Sequence, residues 1–172
     1  MTTIYVVACA APPTLRLPEL LKLLQDEDWD PCVILTPTAA QWIDVDDLAA
    51  HTNHPVRVHP RLPHEQDPLP LASAVLAAPL TFNTLNKWAA GSSDTLALGL
   101  LNEAIGLDLP IVAAPIVKTA LRQHPAYNTS LSTLRSAGVT VLDPDAVTRR
   151  LPDGTVTAEW SRLLEALPPA RK

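Results

Sequence analysis

The sequence predicts a single α/β domain: an open, mainly parallel six-stranded sheet covered by helices on both faces, a three-layer arrangement. Three observations carry this expectation. Short, continuous apolar runs alternate along the chain with stretches of helical period, the pattern of strands buried on both faces. The 172 residues, 47% hydrophobic and 18% charged, suit one domain with one substantial core and exclude a disordered chain. The 18 prolines stand at element boundaries, against only 5 glycines, so the connections are stiff.

Ile4–Ala8 is the first apolar, β-rich run. Pro12 and Pro13 open a helix whose apolar side is Leu15, Leu17, Leu20, Leu21, Leu23 and Leu24, ended by Asp26-Glu27-Asp28. Cys32–Leu35 is a second strand, closed by Thr36-Pro37-Thr38. A helix from about Val45 to His51 follows, with Asp44, Asp46 and Asp47 at its favourable end. Val56–Val58 reads as a short third strand. Residues 59–70 form a proline-rich loop, and a loop of that length inside a compact domain is functional or mobile. Ala74–Ala78 is the fourth strand and Phe82–Ala90 a helix. Gly91 breaks the chain, and Ser93 or Asp94 caps a further helix, Thr95–Ile105. Ile111–Ala114 is the fifth strand, Thr129–Ser136 a helix ended by Gly138, and Val139–Leu142 the sixth strand. A last helix, about Ala158–Leu167, presents Trp160, Leu163, Leu164 and Leu167 on one side.

Right-handed crossovers make such an order Rossmann-like or flavodoxin-like. Ligands of these sheets bind at the carboxyl ends of the strands, where the strand order reverses. Four segments therefore hold the candidate site: Ala8–Pro13, Thr36–Thr38, Ala78–Thr84 and Ala114–Thr119. The first has no G-x-G-x-x-G, and its prolines remove backbone donors, which disfavours a dinucleotide; the Ala10 and Ala11 amides can still meet a lone phosphate. Thr36 and Thr38 place two hydroxyls at a strand end, either for a phosphate monoester or as helix caps. Thr81, Asn83 and Thr84 are more polar than a strand-to-helix junction needs, and hydroxyl and amide groups there can address a ring edge.

The block Pro79-Leu80-Thr81-Phe82-Asn83-Thr84, followed by Asn86-Lys87, Gly91 and Asp94-Thr95-Leu96, resembles the Pro-Ala-Ser/Thr-Ala-Asn-Thr segment and following Gly-x-x-Asp-x-Leu turn of the homo-oligomeric flavin-containing cysteine decarboxylases. The resemblance continues through Ala114–Lys118 and His124–Val139 and spans nearly all of residues 4–145. It implies an FMN-binding protomer of residues 1–150 with a C-terminal helical tail, residues 151–172, assembled as trimers or dodecamers with FMN at subunit contacts. By it Ala10, Ala11, Thr36, Thr38, Thr81, Phe82, Asn83, Thr84, Ser92 and Ser93 line the flavin and its phosphate. The reaction it implies is oxidation of a thiol to a thioaldehyde and loss of the neighbouring carboxylate as CO2, on a small molecule or a peptide with a terminal cysteine.

The chain departs from this family at two places. The family's clasp, Pro-x-Met-Asn-x-x-Met-Trp, reads Pro115-Ile116-Val117-Lys118-Thr119-Ala120-Leu121-Arg122, so Lys118 and Arg122, with Asn83, are the candidates to meet a substrate carboxylate. The family's catalytic histidine precedes the fourth strand; His64 is the nearest candidate, in a different context, and His124 before Pro125 is accounted for by helix capping. These departures keep open an FMN-binding protein without decarboxylase activity, acting as a subunit, a regulator or another redox enzyme; a nucleotide-binding module without flavin is the third reading. No metal-site spacing and no G-x-S-x-G occurs. Cys9 and Cys32 read as buried structural thiols. A net charge of −5 without a basic stripe gives no nucleic-acid footprint, the apolar run around Ala72–Leu80 is about half of the ~20 residues a membrane span needs, and the N-terminus lacks a basic leader, so a cytoplasmic protein is expected.

Overall fold

The computed structural model describes residues 2–170; Met1, and Arg171 and Lys172 at the end of the expected tail, lie outside the described residues. Five parallel strands form the sheet in the order β2-β1-β3-β4-β5: β1 Thr2–Ala8, β2 Trp29–Leu35, β3 Ala74–Leu80, β4 Ile111–Pro115 and β5 Thr140–Val141. The expected third of six strands, Val56–Val58, is reduced to one bridge. Arg57 N donates to the Val33 carbonyl at 3.0 Å, the Arg57 carbonyl accepts from Leu35 N at 2.9 Å, and the pairing stops there. Pro55 has no N–H to extend the ladder on one side, and Pro60 and Pro63 follow on the other.

Strands β1 to β4 are buried on both sides. Ile4, Val6 and Ala8 of β1 join Val33, Leu35, Leu76 and Ala78 in one layer; Val7 and Cys9 join Cys32, Ile34, Val75 and Ala77 in the other. The period of two divides each apolar run between the faces, which is why the runs are continuous rather than alternating. The first layer is covered by α1 (Leu17–Asp26), α2 (Val45–Thr52) and α8 (Trp160–Glu165), the second by α3 (Phe82–Ala89), α4 (Leu96–Gly106) and α6 (Pro125–Ser136). Two one-turn helices, α5 (Thr119–Arg122) and α7 (Pro144–Val147), follow β4 and β5.

In α1 the buried set is Leu17, Leu20, Leu21 and Leu24, the i, i+3, i+4, i+7 stripe of a helix on a core. Leu15 and Leu23, expected on the same side, are exposed: Leu15 lies in the 3-10 turn Pro12–Arg16, and Leu23 is out of phase with the stripe. The cap of α4 is Thr95, whose hydroxyl accepts from Leu98 N at 3.2 Å, rather than Ser93 or Asp94. Asp94 instead pairs with Lys87. An antiparallel hairpin, β6 Thr148–Arg150 and β7 Val156–Ala158, precedes α8, so Ala158, expected in the last helix, ends a strand. Among the described residues no helix is long and apolar enough to cross a membrane.

Candidate functional site

The chain leaves β1 for β2 on one side of the sheet and later enters β3 on the other. The order therefore reverses between β1 and β3, and the switch point beyond their carboxyl ends is where sheets of this kind hold a ligand in a crevice. Backbone hydrogen bonds set the four segments beyond the strands side by side. Thr36 N donates to the Ala8 carbonyl at 3.0 Å, Cys9 N to the Pro79 carbonyl at 2.9 Å, and Ile116 N to the Leu80 carbonyl at 2.9 Å.

Thr81 is extended (φ −86°, ψ 160°) and caps α3: its Oγ1 accepts from Thr84 N at 3.4 Å and donates to Thr84 Oγ1 at 3.3 Å. The Thr81 side chain is therefore accounted for as a helix cap. It leaves Asn83 exposed on the first turn of α3, with the amide ends of the helix around it. Phe82 meets His124 edge-on, with ring centroids 5.8 Å apart. His124 caps α6 as expected, its Nδ1 accepting from Ala126 N at 3.1 Å. Ser130 of α6 donates to Asn86 Oδ1 at 2.7 Å, which ties α3 to α6. Cys9 lies buried under this corner. Burial pushes its thiol above the ordinary range, an effect that hydrogen bonding from Thr84 and Thr81 opposes. Sequence reasoning reads the Cys9 thiol as structural, and its proximity to Thr81 and Thr84 is made through space.

On the β1 and β2 side, Ala11 N is committed to the Cys9 carbonyl at 2.9 Å, so Ala10 is the amide of that pair outside the turn. Thr36 Oγ1 accepts from Ala39 N at 3.3 Å, a capping bond that leaves its hydroxyl proton to give. Thr38 is exposed and makes no side-chain cap. Ser92 and Ser93 stand apart on the turn between α3 and α4, where Asn102 Nδ2 donates to the Ser92 carbonyl (2.8 Å) and to Ser93 Oγ (2.9 Å).

The remaining candidates separate further. His64 is exposed in the long loop, whose neighbouring anchors are Arg57–Asp67 at 3.2 Å and the Tyr5 hydroxyl donating to the Pro70 carbonyl at 2.9 Å. Arg122 is occupied by protein groups: Nε donates to the Val117 carbonyl at 2.8 Å and Nη1 pairs with Asp145 at 2.7 Å. Lys118 is exposed at the start of α5. Among the described residues it is the one lysine or arginine whose side chain makes neither an ion pair nor a hydrogen bond. A groove of about 570 Å³ lies elsewhere, between α1 and the β6–β7 hairpin, lined by Pro18, Lys22, Arg149 and Trp160. The crevice at the strand ends is singled out by its chemistry and by the strand order, not by depth.

The model of the Flavoprotein family matches residues 1–167. The chain belongs to the Flavoprotein family. The chain is 33% identical over 109 residues to the coenzyme A biosynthesis bifunctional protein CoaBC of Mycobacterium tuberculosis, covering 56% of this chain and 25% of that protein. It is 36% identical over 69 residues to a cysteine/cysteine sulfinic acid decarboxylase of an unknown prokaryote, covering 40% of this chain and 18% of that protein. The chain thus spans a quarter or less of the curated relatives it matches. Among solved structures, the epidermin biosynthesis protein EpiD of Staphylococcus aureus superposes with a TM-score of 0.75 at 18% identity, covering 96% of this chain and 99% of that one. EpiD complexed with the substrate peptide DSYTC gives 0.76 at 17%, with 96% and 98% covered. TvaF, an FMN-dependent cysteine decarboxylase from thioviridamide biosynthesis, gives 0.74 at 21%, with 96% and 98% covered. These structures show the shared fold.

The donor set at the crevice is compatible with the group the family's name implies. The Ala10 amide, the Thr36 and Thr38 hydroxyls, the Asn83 side chain and the first amides of α3 are neutral donors beside a helix N-terminus, suited to a phosphate monoester and to the acceptor edge of a flavin ring. The glycine-free turn after β1 fits a mononucleotide better than a dinucleotide pyrophosphate.

Proposed function

We propose that this Flavoprotein-family chain binds FMN in the crevice between β1 and β3 and acts as an oxidative decarboxylase of a terminal cysteine, on a peptide or a small molecule. The observation that carries the reading is the strand order β2-β1-β3-β4-β5, which brings the Thr81–Thr84 corner and the Thr36–Thr38 turn to the one place where the order reverses. When bound, FMN supplies the two-electron oxidation of the thiol that eases loss of the adjacent carboxylate as CO2. The protein supplies position. Ala10, Thr36 and Thr38 hold the phosphate, Thr81 and Thr84 order the start of α3, and Asn83 and Phe82 border the ring. Lys118, free of protein partners and two positions after the bond that joins β4 to Leu80, meets the substrate carboxylate. His64, exposed in the long loop, is the candidate catalytic histidine. Neighbouring copies complete the site in a trimer or dodecamer, and the protein works in the cytoplasm.

The visible spectrum of the purified protein tests the cofactor: FMN absorbance, retained after desalting, is expected, and a colourless protein that takes up no added FMN ends the reading. Incubation of the yellow protein with cysteine-terminated peptides, and with phosphopantothenoylcysteine, is expected to give products lighter by CO2 and two hydrogens in mass spectra. A yellow protein that converts none of them supports an FMN protein without decarboxylase activity. Unchanged turnover in His64→Asn removes the histidine from the mechanism.

A further inference from the structure

The turn after β4 carries two cations with different fates. Lys118 is free, but Arg122 spends one edge of its guanidinium on the Val117 carbonyl and another on Asp145, with its side chain only 19% exposed. With Nε and Nη1 both engaged, each two-donor edge of the guanidinium has lost a member, so no whole fork is left for a bidentate carboxylate. What it does hold is the backbone immediately before Lys118. The Lys118 carbonyl in turn accepts from Leu121 N at 2.9 Å and from Arg122 N at 3.2 Å, so the lysine is fixed from both directions along the chain. The other end of the turn is fixed to the sheet through Ile116 N and the Leu80 carbonyl, next to Thr81. Two residues of chain span at most about 7 Å, so this places the Lys118 backbone beside the Thr81 corner.

We infer that Arg122 is a positioning residue: by latching the Val117 carbonyl to Asp145 of α7 it fixes the turn from which Lys118 meets the substrate carboxylate. This rests on the cysteine-directed reading above and replaces the expectation that Arg122 itself binds substrate. A preorganised turn lowers the ordering cost of binding, and a loose one loses affinity without losing the cation.

The test compares binding of two dye-labelled peptides to the FMN-loaded protein by fluorescence anisotropy. Both end in serine, which cannot undergo the thiol reaction; one carries a free carboxylate and the other an amide. The wild type is expected to prefer the acid by about tenfold or more, as befits one charge-assisted contact. Lys118→Gln is expected to abolish the preference. Arg122→Ala is expected to reduce it severalfold with Lys118 intact, and Arg122→Lys to recover part of it. Asp145→Asn decides between the two roles, because Asp145 is 80% exposed and its loss leaves the core untouched. A positioning Arg122 loses acid preference when Asp145 is neutralised, whereas an Arg122 that binds substrate directly is released by that change and gains it. A gain, or an unchanged preference in both Arg122→Ala and Asp145→Asn, overturns the inference, as does a wild type that does not distinguish acid from amide. A protein that binds no FMN defeats the cofactor reading instead, and the visible spectrum of the same samples reports that separately.

Discussion

Thr81 uses one oxygen twice, accepting the Thr84 amide and donating to the Thr84 hydroxyl. The first bond satisfies a helix end; the second aligns a side chain at the rim of the crevice. Thr81→Ala is expected to lower stability by about 1 kcal/mol in urea unfolding and to weaken FMN retention, while Thr81→Ser restores the stability. Loss of FMN with no change in stability would separate the two bonds. The residue scale was partly legible in the sequence. A run of threonine and asparagine behind a buried strand announces a polar corner without any knowledge of the fold. Arg122 was not legible in this way, because its partners, the Val117 carbonyl and Asp145, are fixed by the turn and by α7 rather than by spacing.

At the scale of elements, the apolar runs of β1 to β4 were plain because burial on both faces leaves no polar position to blur them. Val56–Val58, with Arg57 at its centre, failed as a strand for want of donors beside it. The β6–β7 hairpin had a signal that composition hides: Pro152-Asp153-Gly154, with Gly154 at φ +85°, where a residue with a side chain is strained. Leu151 N donates to the Thr155 carbonyl at 2.8 Å across this turn. The hairpin delivers α8 onto α1, with Trp160 and Leu163 in the core layer beneath β1 and β2. Leu163→Ala is expected to cost about 2–5 kcal/mol in denaturant unfolding, with FMN affinity unchanged in the folded protein. A cost under 0.5 kcal/mol would show that α8 is not part of the cooperative core.

For the whole molecule, the reversal of strand order is what a single sequence foretold best, since alternating strands and helices with right-handed crossovers leave few alternatives. Stability against pH is a property of the same scale. Burial pushes the Cys32 thiol up to about 12, with Asp30 adding to the effect, and burial raises Cys9 in the same direction. Both thiols stay protonated in the fold at a pH where unfolded thiols ionise. The stabilisation is therefore full below the unfolded thiol value of about 8.5 and is lost as pH rises through the folded value. Melting temperatures are expected to hold between pH 7 and 8 and to fall from about pH 9 towards 12. A double replacement of both cysteines by alanine that leaves this fall unchanged would assign it to other groups.

The meeting of α8 with α1 sets a condition on how the chain is made. Leu20 and Leu24 lie near the beginning of the sequence, and Trp160 and Leu163, which share their core layer, lie close to its end. A ribosome must therefore release the chain through Leu163 before the face of β1 and β2 can be sealed. Until then a nascent sheet with an uncovered leucine stripe has to be kept from neighbouring chains, and a truncation before residue 160 leaves that condition permanent.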